Sequence, residues 1–237
     1  MKEKDIRRKT LEQEGKNSEK EDIINYLIKN KLLEKIDIQN IAQDFIAFYI
    51  AGIETTSHLT GMIIYYLTQY KEVKEKLIKE INGAQFEQIQ TLVYLNAVIK
   101  ECLRFYTSAN QLGYREATKD HYLQNIFIPK GTLVTPLIIG IHRNPLYYEN
   151  PHVFDPERWL KDIKYPPYSY IPFSAGKRNC LGQHMASIEA KIILYYFLKT
   201  FDFECDEGFE LKMQNSFLYH PLDPLQINLK VKNNEFI

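Results

Sequence analysis

One short loop pattern constrains this chain more than any other feature of its sequence. Phe173, Gly176, Arg178, Cys180 and Gly182 lie at fixed spacing in an irregular stretch, directly before a strongly apolar helical segment. The pattern predicts that Cys180 stands next to a helix N-terminus. The helix dipole and free backbone N–H groups stabilise a thiolate at such a position. The loop therefore predicts an anionic sulfur that is suited to bind a metal.

The other fixed positions of the loop fit the same chemistry. Gly176 permits a positive φ in a tight turn. Gly182 leaves room for a flat cofactor, and Arg178 can make a charge-assisted contact with an anionic group at the cofactor edge. Phe173 is expected to pack against the sulfur and keep it dry. A lone cysteine before a helix is more often a small buried hydrophobe, but the complete pattern favours the ligand.

Composition excludes several other classes of protein. The 237 residues contain 30 basic and 30 acidic side chains, so a zero net charge argues against a general nucleic-acid binder. A hydrophobic content of 45% excludes intrinsic disorder. Cys102, Cys180 and Cys205 fit neither a disulfide framework nor the spacing of a zinc site, and they indicate a reducing compartment. The best apolar run, 45–53, is too short to span a membrane.

Apolar periodicity predicts a mainly α chain with small β sheets. Residues 1–22 are expected to form a charged, mobile tail, and 23–237 a single folded region. The last predicted helix is apolar all round, which predicts that it is buried. A β-hairpin is expected over 122–139 with its turn at Pro129–Gly131, followed by an irregular stretch over 143–172 and short strands after Phe203. The helices are predicted over 23–35, from Asp37 to about 70, and over 72–81, 92–105 and 181–201.

The cysteine loop resembles the haem-binding signature of the cytochrome P450 family, F-x-x-G-x-R-x-C-x-G, with every fixed position matched. The resemblance implies that Cys180 is the proximal thiolate ligand of haem b, iron protoporphyrin IX. It begins near Ile23 and runs to the C-terminus, which corresponds to the second half of the family's usual domain. The implied fold is a partial cytochrome P450 fold whose N-terminal half is absent.

A second motif supports the resemblance. Glu101 and Arg104 share one face of a predicted helix, and on an exposed helix they would form only a weak surface pair. The apolar surroundings argue against exposure. The pair is similar to the family's E-x-x-R motif, and Pro156–Trp159 is similar to its later P-E-R-F/W element. The resemblance implies a buried structural triad of Glu101, Arg104 and Arg158 that holds the segment carrying the cysteine loop.

A third motif lies in the long second predicted helix. Gly52 and Thr55 could open the helix locally, although small-residue packing or an N-cap is the alternative. Residues 51–56 are similar to the family's [A/G]-G-x-[D/E]-T-T motif. The resemblance implies that Thr55 takes part in oxygen activation and that Glu54 is the adjacent acid, both delivering protons to dioxygen. Ala51 and Gly52 would flank the haem.

Further positions are placed by resemblance alone. Arg115 aligns with a residue that binds a haem propionate in many members, with a surface arginine as the alternative. His142 is expected to be structural. Thr107 departs from the proline of many members, and the link from Asn82 to Thr91 is short. The positions that would contact substrate are Ala109, Asn110, Gln111, Phe217 and Leu218.

The resemblance implies a haem-thiolate monooxygenase that inserts one oxygen atom of O2 into a small apolar molecule. It also implies a flavin-containing P450 reductase as electron donor and the cytosolic face of the endoplasmic reticulum membrane as the location. Membrane association is expected only through the missing N-terminal half. The alternative is a truncated, non-catalytic haem-binding fragment or vestigial gene product. A purely structural helical protein is disfavoured because it has no use for the complete cysteine pattern.

Overall fold

The structure is a computed structural model that describes residues 26–27, 38–111, 113–215 and 218–232. The chain divides into two compact units, residues 1–51 and 52–237. In the first unit, the described residues are helical at Tyr26 and Leu27 and again from Ile38. The expected tail 1–22, most of the predicted helix 23–35 and the predicted helix start at Asp37 lie outside the described residues.

Helices dominate the described part of the chain, as the apolar periodicity predicts. The four helices predicted between residues 37 and 201 are confirmed, and their ends differ from the predicted ones by at most two residues. A short fifth helix and several 3-10 turns were not predicted. In the described part of the chain from residue 38 onward, the α-helices are α1 Ile38–Gln69, α2 Lys71–Asn82, α3 Val93–Phe105, α4 Ile138–His142 and α5 Gln183–Thr200. The 3-10 turns are Phe86–Thr91, Pro156–Trp159 and Gly176–Arg178.

The core of the second unit forms where helices α1, α2, α3 and α5 and the strand after α5 present apolar side chains to one another. Helix α3 lies within this core because its apolar residues recur at helical spacing and it contacts α2, α4 and α5. Removing this apolar surface from water is the main stabilising term of such a core. Fully buried members are Met62, Ile63, Leu67, Leu77, Ile81, Leu95, Val98, Cys102, Leu194 and Leu198.

Two helix contacts come from residues distant in sequence. The first backbone N–H groups of α3, at Tyr94 and Leu95, each donate to a carboxylate oxygen of Glu80 at 2.8 Å. Glu80 lies on α2, so one helix caps the N-terminus of the next and satisfies its free donors. In the second contact, the hydroxyl of Tyr195 and the ammonium of Lys199 both donate to the carbonyl of Ala84, which fastens α5 to the turn after α2.

Within the described residues, the β structure consists of four separate antiparallel pairs of short strands. These are β1 Arg115–Glu116 with β4 Leu133–Val134, β2 His121–Leu123 with β3 Ile126–Ile128, β5 Phe201–Cys205 with β8 Ile227–Val231, and β6 Met213–Asn215 with β7 Tyr219–Pro221. The short strands predicted in the C-terminal region are therefore confirmed. Phe201 pairs with Val231, which returns the C-terminal region to the end of α5.

The predicted hairpin over 122–139 is wrong in its turn and in its second strand. The hairpin turn is at Gln124 and Asn125, where Gln124 takes a φ of 55°, and β2 pairs with β3. The segment after Gly131 pairs instead with β1. Just beyond that pair, the N–H of Ala117 donates to the Thr132 carbonyl, and the N–H of Gly131 donates to the Ala117 carbonyl. A glutamine at positive φ carries no turn signal in the sequence, whereas Pro129 and Gly131 do. Residues 138–142 form α4 rather than strand.

Two expectations about helices α1 and α5 are corrected. Helix α5 is buried on one face only. Its residue Met185 is 64% exposed, and Leu181, just before the helix, is 82% exposed. Helix α1 is α-helical from Ile38 to Gln69, so the local opening expected at Gly52 and Thr55 is not seen. Hydroxyl bonds to helix carbonyls do occur nearby, from Thr60 to Thr56. No helix within the described ranges is both long and apolar enough to cross a membrane.

Neighbouring apolar residues on α5 provide a test of its one-sided burial. Leu194 is fully buried, whereas Ile193 is 44% exposed. We expect Leu194→Ala to lower the free energy of unfolding by about 2–5 kcal/mol, because it leaves a cavity in the core. The matched change Ile193→Ala should cost less than about 1 kcal/mol. Denaturant unfolding of both variants measures the difference, and equal losses would contradict the one-sided packing of α5.

Candidate functional site

The cysteine loop is a closed turn between the irregular segment and α5. The backbone N–H of Cys180 donates to the carbonyl of Phe173 at 2.8 Å, which closes the loop on itself. Ser174 and Gly176 take φ values of 65° and 73°, in the left-handed region where glycine is favoured. Helix α5 begins at Gln183, so the sulfur of Cys180 stands three residues before it. The local sequence thus places an exposed thiol at the helix entrance.

The surface beside Cys180 is open and apolar. A Cβ atom added at Gly176 or Gly182 would meet nothing within 4 Å. Leu181 and Met185 are exposed on the same stretch of chain. Phe173 packs against the edge of the core, and Cys180 is exposed, so the expectation that Phe173 keeps the sulfur dry is not met by this chain alone. The loop has space for a flat apolar group next to its thiol.

The charged side chain of the loop is available to a ligand. Arg178 is exposed at the end of the 3-10 turn Gly176–Arg178, and no side-chain hydrogen bond or ion pair is found for its guanidinium within the described residues. By contrast, Arg115 on β1 donates to the carbonyls of Gly113 and Tyr114, at 2.8 and 3.3 Å. Arg178 is therefore an unpaired cation beside Cys180, while Arg115 is exposed and engaged with its own backbone.

The structure brings Glu101, Arg104 and Arg158 together in one buried ion cluster. The Oε1 atom of Glu101 accepts from Arg104 Nη2 at 2.7 Å and from Arg158 Nε at 3.1 Å. Its Oε2 atom accepts from Arg104 Nε at 2.9 Å. The side chains of Glu101 and Arg104 are fully buried, so the weak surface pair considered from the sequence is excluded.

Other donors complete the hydrogen bonding of the Glu101 carboxylate. The backbone N–H of Asp155 donates to Oε1, and the indole N–H of Trp159 donates to Oε2, both at 2.9 Å. Sequence reasoning missed Trp159 as a member of the cluster. The available signal was that it is the chain's single tryptophan and directly follows Arg158. A buried carboxylate that accepts this many bonds is satisfied as a charged group.

The remaining donors of Arg104 reach three backbone carbonyls. Its Nη1 donates to His142 and Pro151 at 2.9 Å each, and its Nη2 donates to Val153 at 3.1 Å. Arg158 also donates to Val153, at 3.3 Å. The cluster therefore holds the irregular segment that follows α4 by its main chain, which is how a segment without secondary structure keeps a defined course.

His142 connects this cluster to the residues before the cysteine loop. Its Nε2 atom accepts from the backbone N–H of Ile171 at 2.9 Å, and its Nδ1 atom is 3.2 Å from the hydroxyl oxygen of Thr107. The Thr107 hydroxyl donates to the Leu103 carbonyl at 2.7 Å. Burial, followed by the positive charge of Arg104, lowers the pKa of His142 to about 4. The structural role expected for His142 agrees with these contacts.

The predicted oxygen-side residues lie on α1 in the second unit. Gly52 has open space at its missing Cβ, Glu54 is exposed and Thr55 is half-buried. The hydroxyl of Ser108 donates to the Thr55 carbonyl at 3.4 Å, which ties this part of α1 to the segment after α3. Ala51 precedes these residues on α1 and is exposed.

The predicted substrate positions differ in exposure. Asn110 is buried, and its backbone carbonyl accepts from the N–H groups of Ile138 and Ile139 at the start of α4. Gln111 forms a bridge with Leu137, and Leu218 is buried. Asn110 is thus part of the packed interior rather than an open surface. Phe217 lies outside the described residues.

Comparison with known proteins agrees with this geometry. The sequence profile of the family described as Cytochrome P450 matches residues 2–229. Cytochrome P450 3A2 of Rattus norvegicus is 35% identical over 81% of this chain and 40% of its own length. Cytochrome P450 3A9 of the same organism is 33% identical over 97% of this chain and 46% of its own. The chain therefore spans less than half of the length of these curated relatives.

A solved structure extends the similarity to the fold. The heme domain of cytochrome P450DA superposes with a TM-score of 0.77 at 27% identity, covering 84% of this chain and 46% of that one. In this family of haem proteins, a cysteine thiolate holds the haem iron. The chain belongs to the cytochrome P450 family, adopts part of its fold and has haem as its cofactor.

The residues at the cysteine loop fit a haem. The thiol of Cys180 is a suitable axial donor, and exposed Leu181 and Met185 offer an apolar surface to a flat ring. The unpaired guanidinium of Arg178 matches the carboxylates at the ring edge. The open space at Gly176 and Gly182 is what a closely approaching ring requires.

The charge of Glu101 is expected to be essential for stability. Glu101→Gln leaves the guanidinium groups of Arg104 and Arg158 buried without a counter-charge, at a cost of about 3–5 kcal/mol. Glu210→Gln is the matched control, because Glu210 is 79% exposed in a 3.5 Å surface pair with Lys212. We expect the control to unfold like the wild type. Guanidinium unfolding measures both, and similar curves would contradict a stabilising role for the Glu101 charge.

The low pKa of His142 predicts an acid-sensitive fold. The unfolded chain takes up a proton near pH 6.5, whereas folded His142 does so only near pH 4. Its contribution to stability is therefore complete above pH 6.5 and is lost as the pH falls toward 4, by about 3 kcal/mol. The free energy of unfolding should be measured between pH 7 and 4 in the wild type and in His142→Gln. A variant that loses as much stability as the wild type would contradict this assignment.

Proposed function

We propose that this chain is the haem-bearing part of a haem-thiolate monooxygenase that inserts one oxygen atom of O2 into a small apolar molecule. The observation that carries the proposal is the closed loop that presents the exposed thiol of Cys180 at the entrance of α5. The unpaired Arg178 and the open space at Gly176 and Gly182 support the same assignment. When bound, the haem supplies the redox chemistry that activates O2.

Each loop residue has a role in this proposal. Cys180 would be the residue that holds the haem iron, and it stands at the entrance of α5. Arg178 would bind a haem carboxylate by a charge-assisted contact, and Arg115, which in this structure donates to Gly113 and Tyr114, would bind a second one. Phe173 anchors the loop to the core through its partly buried ring.

The residues of α1 would supply protons for the reaction with O2. Ala51 and Gly52 have small side chains or none, so a ring can approach this part of the helix closely. Glu54 is exposed and ionisable, and Thr55 follows it with a hydroxyl that can accept and pass on a proton. We assign proton delivery to Glu54 and Thr55. The buried cluster of Glu101, Arg104 and Arg158 supports the site without touching it.

The proposal extends to the partners and location of the protein. Electrons come from a flavin-containing P450 reductase, and the protein acts at the cytosolic face of the endoplasmic reticulum membrane. Its similarity to mammalian members of the family supports both assignments. The apolar character of pockets beside cofactors supports an apolar substrate. Ala109 and Gln111 flank the buried Asn110 and, with Leu218, remain candidate substrate contacts.

The first test is the carbon monoxide spectrum of the reduced, haem-loaded chain. We expect the red-shifted Soret band of thiolate-ligated haem in the wild type and its loss in Cys180→Ser. Cys205→Ser is the matched control and should keep the band, because Cys205 lies on strand β5 and not in the cysteine loop. Folded wild-type protein without the band would contradict the proposal for this chain. A band without product formation in turnover assays would instead favour the non-catalytic haem-binding alternative.

Proton delivery is tested separately at Thr55. Thr55→Ala removes the hydroxyl, so we expect product formed per electron consumed to fall by about tenfold or more. Thr55→Ser keeps a hydroxyl and should retain most of the coupling. The ratio of product to electrons consumed is measured with reductase and substrate. Equal coupling in the alanine variant and the wild type would remove Thr55 from the assigned role.

A further inference from the structure

The backbone that leads into the cysteine loop is held at three consecutive residues. The hydroxyl of Tyr148 donates to the carbonyl of Ser169 at 3.0 Å. The hydroxyl of Tyr170 donates to the carbonyl of Lys100 on α3 at 3.2 Å. The N–H of Ile171 donates to His142 Nε2 at 2.9 Å. Ser169 to Ile171 therefore have a fixed course although they belong to no helix or strand.

The side chains that hold this segment also contact the buried cluster. Arg104 donates from Nη1 to the His142 carbonyl at 2.9 Å. The same guanidinium lies over the ring of Tyr148, 5.1 Å from its centroid. Arg104 thus contacts both His142 and Tyr148, and these two reach Ile171 and Ser169. A displacement of Arg104 would therefore reach the backbone before the cysteine loop through His142 and Tyr148.

The direction of the hydrogen bonds fixes the tautomer of His142. The backbone N–H of Ile171 can only donate, so Nε2 must be the acceptor and Nδ1 must carry the proton. The Thr107 hydroxyl donates its own proton to Leu103, so its oxygen is free to accept from Nδ1–H. A proline at position 107 would offer no such acceptor. Thr107 therefore favours the tautomer that Ile171 requires.

The contact at Ile171 lies close to the hydrogen bond that closes the cysteine loop. Two residues after Ile171, the carbonyl of Phe173 accepts from the N–H of Cys180 at 2.8 Å. A shift of the backbone at Ile171 would therefore move the acceptor that positions Cys180. Stacking on Tyr170, at 5.4 Å between centroids, gives the His142 ring a packing role as well. A side chain at position 142 that only packed against Tyr170 would give the Ile171 N–H no hydrogen-bond acceptor.

We propose that His142 is a positioning residue for the cysteine loop: its Nε2 atom, with Nδ1–H directed to Thr107, fixes the backbone at Ile171 and thereby the place of Cys180 before α5. The inference rests on the proposed function only in that Cys180 is taken as the haem ligand. The hydrogen bonds that carry it involve the protein alone.

The test compares His142→Phe with His142→Gln by amide hydrogen exchange of the full chain. Phenylalanine keeps an aromatic ring and removes the acceptor, whereas glutamine retains an acceptor oxygen. We expect the Ile171 and Cys180 amides to exchange about tenfold faster in His142→Phe and to stay near wild type in His142→Gln. The amides of Tyr94 and Leu95, bound by Glu80, are the internal control and should not change.

Spectroscopy provides the second readout. In the wild type, the imidazole nitrogen resonances of His142 should show a protonated Nδ1 and an unprotonated Nε2. Haem-loaded His142→Phe should lose the red-shifted carbon monoxide band to a greater extent than His142→Gln. Both variants remove the imidazole, but only glutamine retains an acceptor. A carbon monoxide band that is lost in His142→Phe and kept in His142→Gln therefore supports positioning of the loop through the acceptor.

Several outcomes would overturn the inference. If amide exchange in His142→Phe became equally faster at Ile171 and Tyr94, His142 would stabilise the whole fold rather than position the cysteine loop. Equal behaviour of the phenylalanine and glutamine variants would remove the acceptor from the argument. If His142→Phe does not fold, the wild-type spectrum still decides, because a protonated Nε2 excludes the bond. A wild-type chain that binds no haem would refute the proposed function, while the exchange data would still test His142.

Discussion

The hydrogen bonds to the Glu101 carboxylate are the interactions on which the segment that leads to the cysteine loop depends. This carboxylate accepts hydrogen bonds from two guanidinium groups, one indole and one backbone amide in a site closed to solvent. In such surroundings, an unpaired charge costs several kcal/mol, so the members of the cluster stabilise one another only when all are present. Arg104 and Arg158 use their other donors on main-chain carbonyls. A long segment with little regular structure is thereby given a single course.

This arrangement explains how an irregular loop can present a reactive group accurately. Helix α3 provides Glu101 and Arg104 from a rigid, buried element. The irregular segment is fixed to α3, and His142 and Tyr148 extend the fixation to Ser169 and Ile171. The thiol of Cys180 then stands between this fixed backbone and the start of α5. A backbone that is held in one geometry before binding lowers the free-energy cost of accepting a ligand, which is the basis of preorganisation.

The apolar residues Leu181 and Met185 are exposed rather than packed in the core. Helix α5 packs Leu194 and Leu198 into the core and leaves large apolar residues exposed on other sides. Exposed apolar side chains that form one patch mark a site for a ligand or another protein surface. The haem of the proposed function would cover apolar surface beside Cys180.

Local chemistry in the sequence determined the helices and the cysteine loop, and the family resemblance supplied Glu101, Arg104 and Arg158 of the ion cluster but not Trp159. Helical periodicity and glycine positions act within a few residues, and motifs with fixed spacing report which side chains must meet. Only the tertiary structure decided that β1 pairs with β4, that Glu80 caps α3, and that α5 is buried on one face. It also decided the tautomer of His142. Each of these depends on a partner far along the chain, and a hydrogen bond or an apolar contact with such a partner has no period or spacing that the sequence can show.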